Sequence, residues 1–582
     1  MNLLNTIKGI TLKDVKIFII LGVIAACGLM YEYMLSSYAA RVLGSTEKVI
    51  FTVILYMLLA MGIGAAVIPR YVKNNYNGFA IIESIIAIVG SLSIVAVSLS
   101  HGIGYVLPAI MAETYNAPIS EIGGYGLVSG ITAFISITPY VIAVIIGLLV
   151  GAEIPLMTNI RQDSASEQLE NNMGTMYGVD YVGAFIGGML WLYVLHALKI
   201  SDSAVIIASS NLAVGFIFII AFRRKITAWK RIFSLNIIAL LSILFVHSYG
   251  WDVERWSEQL LYKDKIVYQS NTEHQKFVIT KRELKGEEPR YRFYINGATQ
   301  IASTDEAIYH SMLVSPAMLA ADATTLANDM NVLIVGGGDG LALRNALDWN
   351  PKSVTLLDLD AKVIDFFTRP KIIDGNVVNK QLLELNQFAF QDPRVSVVFG
   401  DAFLSADKLI QEDRQFDVII IDLPDPNHPD LSKLYSTVFY DKMNFLLSSE
   451  GSIVVQSTSP YNAKETFHCI KKTMEEHSFN NVEQYHVNVP SFGEWGFTIA
   501  KKNGESPKSS IAKASEIYPD DRFSSKELIL GSFNFGKNFY DGYDKIKVNY
   551  IDSIAIYEYH EKNWRELTGN YRTDSKLELT EG

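Results

Sequence analysis

The chain has 582 residues, of which 49% are hydrophobic, and its formal net charge is -11. This length is too great for a single hydrophobic core, so at least two domains are expected. The acidic balance argues against nucleic acid as a partner and favours a small cationic substrate. The only cysteines, Cys27 and Cys469, exclude a disulfide framework or a cysteine metal site within one chain.

The N-terminal half is predicted to be an α-helical transmembrane bundle. Long apolar runs fall almost entirely within residues 17–249, so the mean hydropathy of +0.19 averages a membrane half and a soluble half. Seven stretches are long and apolar enough to cross a bilayer: residues 17–39, 49–68, 79–100, 127–150, 176–198, 203–222 and 231–249. Residues 101–126 are ambiguous, and an eighth crossing there is the alternative.

The distribution of lysine and arginine among the loops predicts which side of the membrane each half of the chain occupies. With seven crossings, the loops on the N-terminal side hold most lysines and arginines, which places the N-terminus in the cytoplasm and the soluble half outside. With an eighth crossing, the soluble half returns to the cytoplasm and the loop charges are almost balanced. Both topologies stay open on sequence grounds.

Four acidic residues lie at membrane depth or close to it: Glu32, Glu83, Glu153 and Asp180. Such charges are costly unless they face a bundle interior or water, so one interpretation is a transport or ligand role. The alternative interpretation is that some of these acids lie near the end of a span, and the sequence positions of Glu153 and Asp180 favour it. Gly183 and Gly187 form a small-xxx-small pair, which predicts close helix packing within the bundle.

The soluble half is predicted to contain a small β unit followed by an α/β domain. After an amphipathic connector, three short alternating strands and an Asn296-Gly297 turn indicate the β unit. The predicted domains are a transmembrane bundle at 1–250, the connector with the small β unit at 251–304, and a Rossmann-like, methyltransferase-type α/β domain at 305–582.

Residues 332–340 read Val-Leu-Ile-Val-Gly-Gly-Gly-Asp-Gly. A branched apolar run that ends in glycines predicts a buried parallel strand that turns tightly into a helix, and the missing side chains let a ligand approach the backbone. The next strand ends at Asp358, 20 residues after Gly338, where an acid can accept both hydroxyls of a ribose. This pattern predicts a nucleoside ligand.

Carboxylates follow the ends of four successive predicted strands: Asp339, Asp358, Asp401 and Asp422. These ends converge on the ligand crevice of a doubly wound sheet. Asp425 follows Asp422 by three residues in a proline-bounded loop. The alternative is that such acids cap helices or turns, and one of them is expected to do so. The sequence has no cluster of histidines and cysteines with metal-ligand spacing, so metal chemistry is not expected.

Short motifs throughout the chain carry a family resemblance. In the soluble half they are Tyr268-Gln269, Asn296-Gly297 with Gln300, Asp305-Glu306, Tyr309-His310, Gly336 to Gly340, Gly400 to Ala402, Asp422 to Pro426, Leu434-Tyr435, Phe439-Tyr440 and Trp495 to Phe497. In the membrane half they are Tyr31-Glu32, Gly151 to Leu156 and Asp180 to Gly183. Together these motifs resemble the spermidine synthase (polyamine aminopropyltransferase) family, in its membrane-integrated branch.

The resemblance implies that an aminopropyl group moves from decarboxylated S-adenosylmethionine to a diamine such as putrescine, giving spermidine and methylthioadenosine. The donor is a co-substrate, so no further cofactor is implied. In the donor site the resemblance assigns the ribose hydroxyls to Asp358, the adenine amino group to Asp401 and the ammonium of the aminopropyl arm to Asp339. The other donor-binding residues that it implies are Gln269, His310, Gly336, Gly338 and Ala402.

On the acceptor side, the resemblance implies that Asp422 is the general base and that Tyr309 assists it. Tyr309 and Asp425 would also bind the amine, together with Glu494 and Trp495. A base is needed because an alkylammonium, with a pKa of about 10, cannot attack until it loses a proton.

The sequence departs from the family pattern at two positions. Asp358 stands where many members carry glutamate, and Ser311 stands where a glutamate commonly follows the Tyr-His pair. Two other functions remain alternatives: an S-adenosylmethionine-dependent methyltransferase, and a polyamine-binding sensor or transporter. Asp339 argues against the first, because its carboxylate would repel the carboxylate of S-adenosylmethionine.

The expected partners are the nucleoside donor, the diamine and the lipid bilayer, without nucleic acid, and a homodimer is compatible with them. Decarboxylated S-adenosylmethionine is made in the cytoplasm. The resemblance therefore implies a multi-pass protein of the cell membrane whose catalytic domain faces the cytoplasm.

Overall fold

The structure is a computed structural model that describes residues 12–43, 46–115, 130, 133, 135–165, 169–272, 274–322, 327–373, 375–477, 479–514 and 521–568. The chain folds as two compact units, Met1–Lys263 and Asp264–Gly582. The last long helix of the first unit, Trp229–Gln259, runs through the predicted domain boundary at residue 250. The predicted connector therefore begins as part of this helix.

The first unit consists of long helices. Their bounds are α1 Leu12–Leu43, α2 Thr46–Tyr71, α3 Asn75–Tyr115, α4 Thr138–Ala165, α5 Leu169–Tyr193, α6 Ile200–Ala221 and α7 Trp229–Gln259. Within the described residues, seven helices are long and apolar enough to cross a membrane, as the sequence predicts. Helix α3 continues through the first part of the ambiguous segment, and residues 116–126 lie outside the described part of the chain.

Small residues bring α5 against α1. A Cβ atom on Gly183 would lie 2.2 Å from the backbone oxygen of Gly22, and one on Gly187 would lie 2.4 Å from the backbone oxygen of Ala26. Both distances are far below a van der Waals contact, so only glycine fits at these two positions. The predicted close packing of this glycine pair within the bundle is confirmed.

Three of the four membrane-depth acids are buried inside the bundle. Glu32 on α1 is 7% exposed, Glu83 on α3 is 1% exposed and Glu153 on α4 is 3% exposed. The amide of Asn211 on α6 donates a hydrogen bond of 2.9 Å to the Glu83 carboxylate. Glu153 lies near the middle of the Thr138–Asp163 span, so the prediction that it sits near a span end is wrong.

The second unit begins with the predicted small β unit. Its strands are β1 Lys265–Asn271, β2 Lys276–Arg282, β3 Arg290–Ile295 and β4 Ala298–Ala302, and they form an antiparallel sheet in chain order. The predicted turn joins β3 to β4. Asn296 and Gly297 have φ angles of 48° and 85°, as a turn with two left-handed residues requires.

A sheet of seven strands forms the centre of the second unit, in the order β12-β13-β11-β10-β5-β6-β9. The bounds are β5 Asn331–Gly336, β6 Ser353–Asp358, β9 Val395–Phe399, β10 Phe416–Asp422, β11 Leu447–Gln456, β12 Asn481–Val489 and β13 Gly493–Lys501, with a separate two-stranded ribbon of β7 Ile372–Ile373 and β8 Asn376–Val377. Strands β9, β6, β5, β10 and β11 are parallel, whereas β13 is antiparallel to both of its neighbours.

Helices cover this sheet, and their bounds are α8 Glu306–Asp322, α9 Leu341–Asp348, α10 Ala361–Thr368, α11 Lys380–Leu385, α12 Ala402–Gln411, α13 Thr437–Leu446, α14 Lys464–His477, α15 Pro507–Lys513, α16 Lys526–Ser532 and α17 Ala555–Thr568. The central strands are apolar and fully buried, which explains their unbroken hydrophobic runs. From β5 the chain builds outward through β6 and β9 and then returns to β10 on the other side. The carboxyl ends of β5 and β10 therefore flank the switch point where such sheets bind ligands.

Candidate active site

The glycine turn after β5 is fitted closely between two acidic strand ends. Gly336 has a φ of 84°, and a Cβ atom there would lie 2.2 Å from the backbone oxygen of Asp422. Gly337 donates its N–H to the same oxygen at 3.2 Å. A Cβ atom on Gly338 would lie 2.8 Å from a carboxylate oxygen of Asp358. Glycine is required here because both neighbouring strand ends approach the backbone of the turn.

Asp358 ends β6 inside this crevice. Its Oδ1 atom accepts the N–H of Asp360 at 2.8 Å. Burial raises the pKa of Asp358 to about 6, and backbone hydrogen bonds from Asp360 and Gly338 oppose that rise in part. Asp360 itself caps α10 by accepting the N–H of Lys362 at 3.0 Å. The two acids at this strand end thus differ, because Asp360 caps a helix whereas Asp358 lines the crevice.

The small β unit is held against the end of β6. The Thr272 hydroxyl donates to Asp360 at 2.6 Å, and the ring of Tyr268 stacks on Phe366 at 4.6 Å between centroids. Gln269 lies between these anchors on β1. Its side-chain oxygen is buried and has no hydrogen-bond partner among the described residues. A buried amide oxygen in this state is costly unless a ligand donates to it.

Asp401 is the capping acid of the predicted set. It caps α12, which begins at Ala402, by accepting the N–H of Phe403 at 2.8 Å. The Lys433 ammonium lies 2.6 Å from its other oxygen. Burial opposes ionisation of Asp401, but Lys433 and the backbone N–H groups of Phe403 and Leu404 together outweigh it and lower the pKa. Sequence patterns did not indicate Lys433, since it lies 32 residues away in a short 3-10 helix, Pro429–Tyr435.

A buried ion pair joins α8 to α9. The guanidinium of Arg344, 1% exposed, pairs with the Glu306 carboxylate at 2.9 Å. Burial acts to raise the pKa of Glu306, but His310 and Arg344 lower it to about 2. His310 Nδ1 lies 2.8 Å from the backbone oxygen of Glu306, which can only accept, so Nδ1 carries a proton. Neither Glu306 nor Arg344 was among the predicted site residues.

Asp339 lies in the turn between β5 and α9. Its carboxylate accepts the N–H of Leu341 at 2.8 Å, and its backbone oxygen accepts from the Asn386 amide at 3.0 Å. Burial raises the pKa of Asp339, whereas the nearby His310 lowers it. For His310, burial disfavours the charged form, but the carboxylates of Glu306 and Asp339 outweigh it and raise its pKa.

Asp422 ends β10 on the other side of the glycine turn. The Tyr309 hydroxyl on α8 donates to its Oδ1 atom at 2.7 Å. Burial raises the pKa of Asp422 to about 6. Burial, and then the charge of Asp422, raise the pKa of Tyr309 well above its ordinary value. At neutral pH, Asp422 is therefore an ionised carboxylate and Tyr309 is a hydrogen-bond donor.

Asp425 follows Asp422 by three residues, and its carboxylate contacts three side chains that the sequence did not indicate. The Gln456 amide donates to its Oδ1 atom at 3.3 Å, and the Thr458 hydroxyl donates to its Oδ2 atom at 3.1 Å. His560 Nε2 lies 3.3 Å from the same Oδ2 atom. Gln456 could have been noticed, because it ends an apolar strand at the ligand edge of the sheet.

Glu494 and Trp495, both predicted to bind the acceptor, point to opposite faces of β13. The indole of Trp495 packs on Phe492 at 5.2 Å, and Phe492 lies 5.9 Å from the ring of Tyr309. Its Nε1 atom is buried and has no hydrogen-bond partner among the described residues. Glu494 instead bonds to His486. The structure brings Trp495 towards Tyr309 and separates Glu494 from it, because successive side chains alternate across a strand.

Ser311 stands where a glutamate is common in the family, and a carboxylate from elsewhere in the chain contacts this position. Ser311 and Ser315 on α8 donate to the two oxygens of Asp521 at 2.5 and 2.6 Å. Burial opposes ionisation of Asp521, but the hydroxyl hydrogen bonds lower its pKa. An acid therefore contacts this turn of α8, although it lies about 200 residues further along the chain.

A glycine turn between acidic strand ends, with the Asp422 carboxylate and Asp425 at one switch point, is typical of the α/β class of proteins that bind a nucleoside ligand. Residues 306–513 match the spermine/spermidine synthase domain family. The chain is 41% identical over 558 residues to the polyamine aminopropyltransferase of Shewanella oneidensis, and the match covers 96% of both chains. The chain belongs to the polyamine aminopropyltransferase family, and the predicted function is confirmed at the level of that family.

The chain is also similar to a second aminopropyltransferase and to a solved spermidine synthase. Polyamine aminopropyltransferase 1 of Streptomyces coelicolor is 31% identical over 518 residues, which cover 86% of this chain and 88% of the relative. A solved spermidine synthase in complex with the transition-state analogue AdoDATO is 23% identical, with a TM-score of 0.41. That similarity covers 48% of this chain and 89% of the solved chain.

Proposed function

We propose that this enzyme moves the aminopropyl group of decarboxylated S-adenosylmethionine to a diamine such as putrescine, and that it uses no further cofactor. The observation that carries the proposal is the half-buried Asp422 carboxylate, which accepts a hydrogen bond from Tyr309 at 2.7 Å beside the glycine turn. A carboxylate in this position suits removal of a proton from an alkylammonium. Family membership supports the same reaction.

The donor is proposed to lie along the glycine turn. The ribose hydroxyls would bond to Asp358, which must be ionised to accept both of them, and this holds above its pKa of about 6. The unpartnered amide oxygen of Gln269 supports a ligand donor group near the end of β6. Asp339 would accept the ammonium of the aminopropyl arm as a charge-assisted hydrogen bond. For Asp401 to accept from the adenine amino group, its ion pair with Lys433 must leave one lone pair free.

The reaction requires proton removal and alignment. Asp422 takes a proton from the acceptor ammonium, and the freed nitrogen attacks the aminopropyl carbon next to sulfur. A carbon–nitrogen bond forms while the carbon–sulfur bond breaks, and the sulfur keeps the electron pair as a neutral thioether. Since the sulfonium is its own leaving group, most of the acceleration comes from positioning. The unpartnered indole N–H of Trp495 is available to a ligand acceptor group near Tyr309.

Product analysis tests the proposed function. Purified protein incubated with decarboxylated S-adenosylmethionine and putrescine is expected to form spermidine and methylthioadenosine in equal amounts, measured by mass spectrometry. Parallel reactions use S-adenosylmethionine as the donor and a panel of other diamines as acceptors. Methylated amine with S-adenosylhomocysteine would identify a methyltransferase, and binding of the amine without any product would support a sensor.

We also propose that the seven apolar helices span the cell membrane and that the catalytic unit faces the cytoplasm. Large apolar side chains on the outer surface of the bundle support the first point; examples are Phe185, Leu192 and Ile220, which are 68%, 64% and 72% exposed. Lipid would cover these side chains. The homodimer stays a prediction from sequence.

Reporter fusions test the topology. A reporter active only in the cytoplasm, fused after Gly582, is expected to give a signal, because the donor is made in that compartment. A fusion after residue 74, in the loop between α2 and α3, is the internal reference. A signal only from a periplasmic reporter after Gly582 would show that loop charge, and not donor supply, determines the orientation.

A further inference from the structure

Three hydrogen-bond donors surround the carboxylate of Asp425. Gln456 donates to Oδ1, while Thr458 and His560 lie at 3.1 and 3.3 Å from Oδ2. A carboxylate cannot donate, so His560 must present an Nε2–H to it. The Asp425 side chain is 16% exposed, and that of His560 is 9% exposed. No lysine or arginine among the described residues forms an ion pair with Asp425.

His560 comes from a helix outside the matched family domain. Helix α17 spans Ala555–Thr568, whereas the domain match ends at residue 513. The side chains of Lys562 and Asn563 hold the helix to Glu465 at 3.2 and 3.0 Å. Ile556, in its first turn, is fully buried in the core. These contacts anchor α17 to the second unit, so His560 has a defined position beside Asp425.

We infer that His560 is a positioning residue of the acceptor site, which orients Asp425 towards one ammonium group of the diamine. This inference rests on the proposed function. A carboxylate has about four lone-pair directions, and Gln456, Thr458 and His560 already use three of them. The remaining direction suits one primary ammonium group. A fixed cation in place of His560 would neutralise Asp425 before the substrate arrives.

Four substitutions separate this role from a structural one. H560Q keeps an N–H donor, H560L removes it at similar volume, and H560K adds a fixed cation. K562A is the matched control, because Lys562 lies on the same helix and bonds to Glu465 instead of Asp425. Steady-state kinetics with decarboxylated S-adenosylmethionine and putrescine give kcat and both KM values.

We expect H560L to raise the KM for putrescine by about tenfold, the effect of losing one hydrogen bond to a charged group, with kcat and the donor KM within about twofold of wild type. H560K raises the putrescine KM further, while H560Q and K562A stay close to wild type. Equal putrescine KM values in H560L, H560Q and wild type would overturn the inference. A parallel fall in kcat and donor binding in H560L would do the same, since it indicates structural damage.

Two controls keep this outcome separate from other failures. If H560L does not fold, as judged by thermal unfolding and methylthioadenosine binding, the comparison of H560K with H560Q decides, and equal putrescine KM values for these two reject the inference. If the wild type transfers no aminopropyl group to any diamine, the proposed function itself fails. A wild type that is active and indifferent to the residue at 560 rejects only the role of His560.

Discussion

Replacing Asp422 with asparagine lowers kcat by about a hundredfold or more, because the acceptor ammonium then has no base to take its proton. The fold should persist, since asparagine keeps an oxygen that can accept the Tyr309 hydroxyl hydrogen bond of 2.7 Å. Methylthioadenosine binding, measured by calorimetry, should also persist, because the proposed donor contacts lie on Asp358 and the glycine turn. Near-normal turnover in D422N would remove Asp422 from the mechanism.

The pH dependence of wild type provides a second measurement of the same base. The pKa of Asp422 is raised to about 6, so the carboxylate is ionised above this pH and protonated below it. The kcat/KM for putrescine is therefore expected to fall as the pH drops through about 6. In D422N, the residual kcat/KM should not show the part of this fall that protonation of Asp422 causes. D407N is the matched control, because Asp407 pairs with Lys442 on the surface of the same unit and should leave the profile unchanged.

Replacing Asp339 with asparagine is expected to narrow the preference for the decarboxylated donor. In wild type, the Asp339 carboxylate repels the carboxylate of S-adenosylmethionine by about 4 kcal/mol if the groups lie about 4 Å apart at an effective dielectric of about 20. The decarboxylated donor lacks this anion and gains a charge-assisted hydrogen bond. D339N should therefore bind the decarboxylated donor more weakly and S-adenosylmethionine more tightly. The amide oxygen of the substituted side chain can still accept the N–H of Leu341.

Competitive calorimetry with both donors measures this preference. The binding ratio of the decarboxylated donor to S-adenosylmethionine is compared between wild type, D339N and the D407N control. Equal affinities in wild type would contradict the role given to Asp339. A ratio that is large in wild type and unchanged in D339N would show that another feature of the site excludes the donor carboxylate.

Local sequence patterns were enough to predict the two-part architecture and the position of the crevice. Hydropathy is a local property, so the seven long helices could be read from apolar runs without any knowledge of their packing. The glycine turn and the acidic strand ends are equally local, because Gly336 needs its φ of 84° and parallel strands end on one edge. Asp339, Asp358 and Asp422 could therefore be placed at one crevice in advance.

Which polar side chains contact one another could be seen only in the folded chain. Glu494 and Trp495 are neighbours in the chain, but strand alternation directs only Trp495 towards Tyr309. Asp401 pairs with Lys433 across 32 residues, and Asp425 contacts His560 across 135 residues. Such contacts depend on how distant helices pack onto the sheet, and no local pattern of residues records that packing.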